Sequence, residues 1–165
     1  MQILTLKSLV FCGVLVLGAA AAAQQSAPTP PMPPTTSYGP PITLEQAKKV
    51  AGGAMAEATK RNMKMAIAIV EPSGDLVYFE RMDGTQYASI RIAQDKARSA
   101  ALFRRSSKDF FDRVAKGDMS AFALHGAVAS AGGIPIVLDG KIIGAIGTSG
   151  GADDAVSQAG ANAVK

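Results

Sequence analysis

From Ile42 onward the chain alternates between stretches with helical spacing of apolar residues and short runs that are apolar throughout. Leu44, Ala47, Val50, Ala51, Ala54, Met55 and Ala58 recur at three- and four-residue intervals, which predicts an amphipathic helix over residues 44–61. Thr43-Leu44-Glu45-Gln46 supplies the residue types of a capping box at its start, and Asn62 suits its end. Residues 65–70, MAIAIV, are apolar on both faces and read as a buried strand. Glu71-Pro72-Ser73-Gly74-Asp75 is turn chemistry. It leads to a second strand over 76–82, so that the two form a hairpin ended by Asp83-Gly84.

Residues 87–103 set Ile90, Ala93, Ala97, Ala100 and Ala101 on one face of a second helix. Ser106 or Ser107 can cap a third, which carries Phe110, Phe111 and Val114 and stops at Gly117. Residues 119–133 hold no clear period and read as a loop or a short strand. Strands over 134–138 and 141–148 flank Asp139-Gly140, the signature of a type I′ hairpin. An alanine-rich helix over 153–164 completes the chain. Paired hairpins with helices between them predict an antiparallel sheet covered by helices, an α+β domain.

The first 41 residues follow different rules. Lys7, the apolar run LVFCGVLVLG over residues 9–18 and the small residues 19–23 read as a secretory signal over 1–23. That run is shorter than the roughly 20 residues of a membrane span, so no stable membrane insertion is expected once the signal is cut. Residues 24–41 hold seven of the nine prolines and read as an extended spacer before a domain over 42–165. Cutting after Ala23 removes Cys12, the single cysteine, and with it any disulfide or thiolate chemistry. It leaves 16 basic and 13 acidic residues, too mild an excess to point to nucleic acid. A periplasmic or secreted location follows from the signal.

Candidate chemistry clusters in a few places. Gly147-Thr148-Ser149-Gly150-Gly151 spells G-x-S-x-G between an apolar run and a helix, the context of a hydrolase nucleophile elbow. A triad needs a histidine after that serine in the hydrolase order, and the only histidine, His125, precedes it. The glycines at 144, 147 and 150 have another use, since glycine in a strand admits a second backbone or a flat ligand. Gly150-Gly151 opens the last helix, where exposed N–H groups favour an anion, although Asp153 and Asp154 compete for that positive end. His125 can ligate haem iron or act as a base, or be a structural residue. Gln94-Asp95-Lys96-Ala97-Arg98 and Arg104-Arg105 read as a charged helix face, either solvated or a cationic rim for carboxylates. Tyr78, Met82 and Tyr87 lie near the end of the first hairpin as core or interface residues, with Met and Tyr also possible iron ligands.

Three stretches together carry a resemblance. They are Ala93-Gln94-Asp95-Lys96-Ala97-Arg98 with Ala100-Ala101-Leu102 and Arg104-Arg105; Gly132-Gly133-Ile134-Pro135-Ile136 leading into Asp139-Gly140-Lys141 through Gly150; and the hairpin ending in Arg81-Met82-Asp83. They resemble the GlcG/HbpS-like family of haem-binding proteins, from about Ile42 to the C-terminus. The resemblance implies a profilin-like α+β domain with a five-stranded antiparallel sheet, homo-oligomers and, in some members, extracytoplasmic haem handling. The sequence departs from the family after Ser149, where the segment is shorter and lacks a Gln-Asp pair. With one histidine, a Thr, Met, Tyr or His iron ligand stays open. The expected site has haem against glycine-rich backbone at Gly147, with Ser149 near a ligand carboxylate, Lys96 and Arg105 facing the propionates, and His125 as the metal ligand. Two rivals stand beside it: an enzyme acting on a small organic acid through Lys96, Arg105 or His125, and an oligomeric sensor or scaffold partner.

Overall fold

The computed structural model describes residues 36–165; the segment read as an export signal and most of the proline-rich stretch lie outside the described residues. The elements follow as α1 (Leu44–Lys60), β1 (Ala66–Val70), β2 (Leu76–Arg81), α2 (Ser89–Phe103), α3 (Lys108–Ala115), β3 (Gly133–Leu138), β4 (Lys141–Ser149) and α4 (Asp153–Asn162). A 3-10 turn at Met119–Ala123 stands between α3 and β3.

Local chemistry accounts for the ends of these elements. The capping box forms in full: Gln46 N–H donates to Thr43 Oγ1 and Thr43 N–H to Gln46 Oε1, satisfying two donors that a helix start leaves open. Asn62 leaves α1 at φ 54°, a left-handed conformation that asparagine tolerates. Asp139 and Gly140 both take positive φ, 50° and 73°, as a type I′ turn requires.

The sheet order is β2-β1-β4-β3, antiparallel throughout. Two local hairpins, β1–β2 and β3–β4, meet where β1 pairs with β4 from Ala66↔Ser149 to Val70↔Ala145. The two faces of the sheet differ. One carries Ile67, Ile69, Ile136 and Ile146 into a core with α1 and α4, where each large apolar side chain contributes about 1.5–3 kcal/mol on burial. The other presents Ala66, Ala68 and Ala145 to Ala93, Ala97, Ala100 and Ala101 of α2. Methyl groups on both sides let α2 lie close on the strands.

The described residues form four strands in the sheet, where the resemblance implied five. Of the region 119–133, Met119–Ala123 forms the 3-10 helix, capped by Asp118, which accepts from Ser120 N–H at 3.0 Å, and 124–132 is loop. No alternating or β-branched run competes with that turn. Order also begins before Ile42. Ile142 N–H donates to Ser37 O, Gly39 N–H to Ile142 O and Ile42 N–H to Ile143 O, beside β4 where β1 has already ended. The Tyr38 hydroxyl donates to Ala101 O at 2.8 Å, so the end of the proline-rich stretch is fastened to both β4 and α2. No helix among the described residues is long and apolar enough to cross a membrane.

Candidate functional site

Three of the residues expected to face a ligand are inside the domain. Lys96 is 1% exposed. Its ammonium donates to Asp153 Oδ2 at 2.6 Å and to Thr148 O at 3.3 Å. The other Asp153 oxygen, Oδ1, accepts from Gly150 N–H and Gly151 N–H. The anion position at the start of α4 is therefore filled by the protein's own carboxylate, and its counter-charge comes from α2. Lys96 does not belong to the solvated face with Asp95 and Arg98. Helical spacing sets it at i+3 from Ala93 and i−4 from Ala100, within the apolar stripe, and the small neighbours leave room for its stem.

Gly147 is a packing residue. A Cβ there would collide with Ala93 O and Ala97 N, so its absence is what lets α2 approach β4. Gly150 has the same role on another contact, against Lys64 O. Ser149 is 4% exposed and its hydroxyl donates to Ser89 Oγ at 3.0 Å. It joins β4 to the first residue of α2 and has no imidazole beside it, which removes the hydrolase reading. Replacing Ser149 by alanine is expected to cost about 1 kcal/mol of stability, read as a small shift in a urea midpoint, and to leave hemin affinity within about twofold; a loss of stability no larger than about 0.3 kcal/mol would mean that this link contributes nothing.

His125 stands elsewhere, exposed in the turn after the 3-10 helix, with no hydrogen-bond partner among the described residues. Between α3 and His125 the chain carries several exposed large apolar side chains: Phe111, Met119, Phe122 and Leu124. The 3-10 helix is fixed to α3, because Arg113 donates from Nε to Asp118 Oδ2 and from Nη2 to Ser120 Oγ. Hydrogen bonds from Ser120 and Arg113 hold the Asp118 carboxyl down to about 2. The charged cap is thus fully in place above the ordinary carboxylate range and is lost only as pH falls toward 2.

Downstream of His125, Ser130 and Ala131 form one wall of an open cleft of about 700 Å3, with Phe111 from α3 and residues 151–155 and Gln158 around the start of α4. Its size is within the roughly 300–1,000 Å3 of small-molecule sites. A second cleft, about 450 Å3, shares Gly151 with the first and is lined also by Asn62, Met63, Lys64, Gly84, Thr85, Gln86 and Gly150. Asp153, paired with Lys96, holds the N–H groups of Gly150 and Gly151 beside both. Arg105 is half-buried, donates from Nε to Phe103 O and lies over the Phe110 ring.

Of the other candidate iron ligands, Tyr78 and Met82 are engaged within the domain. The Tyr78 hydroxyl donates to Glu80, and burial together with that carboxylate pushes its phenol up, which disfavours tyrosinate. Met82 packs on the isoleucine core. Tyr87 is exposed, under the Arg81 guanidinium. No group of three or more His, Cys, Asp or Glu side chains that could hold a metal ion occurs among the described residues.

The described residues form a small α+β domain with helices on both faces of an antiparallel sheet and two clefts beside the start of α4. The chain belongs to the HbpS-like family: the family model described as haem degrading protein HbpS-like matches residues 42–164. Protein GlcG of Escherichia coli (strain K12) is 36% identical over 108 residues, covering 66% of this chain and 81% of that protein. The crystal structure of a double mutant of Streptomyces reticuli HbpS has a TM-score of 0.70 at 26% identity, covering 85% of this chain and 98% of that one. The crystal structure of a PduOC:haem complex shares the fold at 22% identity, with a TM-score of 0.67 over 74% of this chain and 94% of that one.

Proposed function

We propose that this protein is an exported haem-binding or haem-handling protein, with His125 as the iron ligand. The observation that carries the reading is the exposed imidazole of His125 on a segment rich in exposed apolar side chains, in a chain of the HbpS-like family. The residues present suit the group in part. His125 offers an exposed imidazole, Phe111, Phe122 and Leu124 offer apolar surface for a flat macrocycle, and the cleft beside Ser130 offers volume. Lys96 does not suit it, being consumed by Asp153. Bound haem would supply an iron with redox and ligand-exchange chemistry, and His125 with the neighbouring apolar side chains would hold it. Exposed apolar side chains of this size also favour self-association, and export rests on the N-terminal segment.

The burial of Lys96 weakens the organic-acid enzyme by removing one of its three candidate groups, leaving Arg105 and His125. Titration of the purified protein with hemin is expected to give a saturable Soret shift. His125→Ala should change the axial-ligand spectrum and weaken binding about tenfold or more. No saturable shift in the wild-type protein would end the haem reading; an unchanged spectrum in the variant would end only the assignment of the ligand.

A further inference from the structure

We infer that Ser99, buried in the middle of α2, is the residue that positions His125. The stretch from Leu124 to Gly132 has no helix or strand, so something other than a ladder must set its path. Its upstream end is fixed by the Asp118 cap and Arg113. Among the described residues the backbone of 124–129 bonds only once to itself, through Ala127 N–H to Leu124 O. The single side chain that bonds to residues 124–129 among the described residues is Ser99, whose Oγ accepts from Val128 N–H at 3.1 Å. Two residues further on, the Ser107 hydroxyl donates to Ser130 O at 2.6 Å and accepts from Gly133 N–H at 2.8 Å. Ser157 holds Gly132 O in the same way.

Ser99 and Ser107 are both 0% exposed. A serine in a helix interior does little for the helix itself, and at a fully buried position its hydroxyl needs a partner. Ser99 finds that partner three residues from His125. It lies one turn from Lys96, whose carbonyl is the atom that Gly133 approaches too closely to carry a Cβ. The segment from Val128 to Gly133 therefore runs along this flank of α2: Ser99 holds its start, Ser107 and Ser157 hold its end, and Gly133 lies close against the Lys96 carbonyl. Ser99 touches no ligand in this arrangement. It acts through Val128 on the orientation of the imidazole turn.

The part of this inference that concerns haem rests on the proposed function; the part that concerns His125 does not. His125 is the only histidine, so its imidazole Cε1–H gives one assignable NMR line in the full-length protein without haem. The isosteric pair Ser99→Thr and Ser99→Val separates hydrogen bonding from volume, since only threonine keeps the acceptor. The Thr variant is expected to keep the wild-type His125 line, and the Val variant to move it toward the free-histidine position. With hemin, the Val variant should release haem about fivefold faster or more, with an altered axial-ligand spectrum, and Thr should restore both. Identical His125 lines in the two variants overturn the inference, whether or not hemin binds. If neither variant folds, hydrogen exchange in the wild-type protein decides. The Val128 amide should be protected about tenfold or more over the Ala129 amide, and equal exchange at the two overturns the assignment of Ser99 as the anchor.

Discussion

Replacing Lys96 by methionine is expected to lower stability by about 3 kcal/mol, because removing one partner of a buried ion pair leaves the other charge with its burial penalty. For a domain of this size that is a fall of about 10 °C in the melting temperature. The value is at the lower end for such pairs because Asp153 keeps 18% of its side chain exposed and retains the Gly150 and Gly151 N–H groups. Lys96→Met combined with Asp153→Asn should recover part of the loss, since the amide oxygen can still accept from the two glycines while the charge is gone. Thermal unfolding of the single and double variants checks this. A single variant that melts within about 2 °C of wild type, or a double variant that is no better than the single, would show that the clasp does not hold the start of α4.

Gly147→Ala is the second large effect. The added methyl meets Ala93 O and Ala97 N, both backbone atoms of α2 that cannot turn aside as a side chain would. Overpacking of this kind costs about 3 kcal/mol, with a parallel fall in soluble yield. Gly52→Ala is the matched control, since nothing lies within 4 Å of its Cβ position in α1. There the change should add about 0.5–1 kcal/mol through helix propensity. Urea midpoints of the two variants must therefore move in opposite directions. A neutral Gly147→Ala would mean that α2 can back away from the sheet.

These two residues show what the sequence could and could not disclose. Periodicity together with cap and turn residues located the four α-helices and four strands of the described residues, because α1, α2, β1 and β4 are long or uniformly apolar enough for one period to dominate. The capping box at Thr43 and the Asp139-Gly140 turn were readable because each is a local contract between neighbours. The direction of Lys96 was not read, though its place between Ala93, Ala97 and Ala100 held the clue. A lysine is presumed to face water unless a partner is known, and Asp153 is 57 residues away. The glycine spacing at 144, 147 and 150 invited a ligand, and the close backbones that explain it come from other elements. The competition of Asp153 for the helix start was anticipated, and the structure shows that Asp153 fills it. The family resemblance rested on motifs that turn out to be mostly packing and clasp residues, which is why it identified the fold better than the site.

The meeting of the two hairpins at β1 and β4 has a consequence for how the chain acquires its structure. Each hairpin can close locally, but the central pairing joins Ile69 to Ile146 and must wait for everything between them. Contacts of such long sequence separation slow folding, since loop entropy is lost before the pairing compensates. During synthesis from the N-terminus, β1 emerges early, as the bare apolar run AIAIV. Its inner edge has no partner until β4 has left the ribosome. A short uncharged β-prone segment with an open edge is an aggregation hazard. The strand that becomes the most protected part of the finished domain is thus the one most in need of shielding while the chain is incomplete.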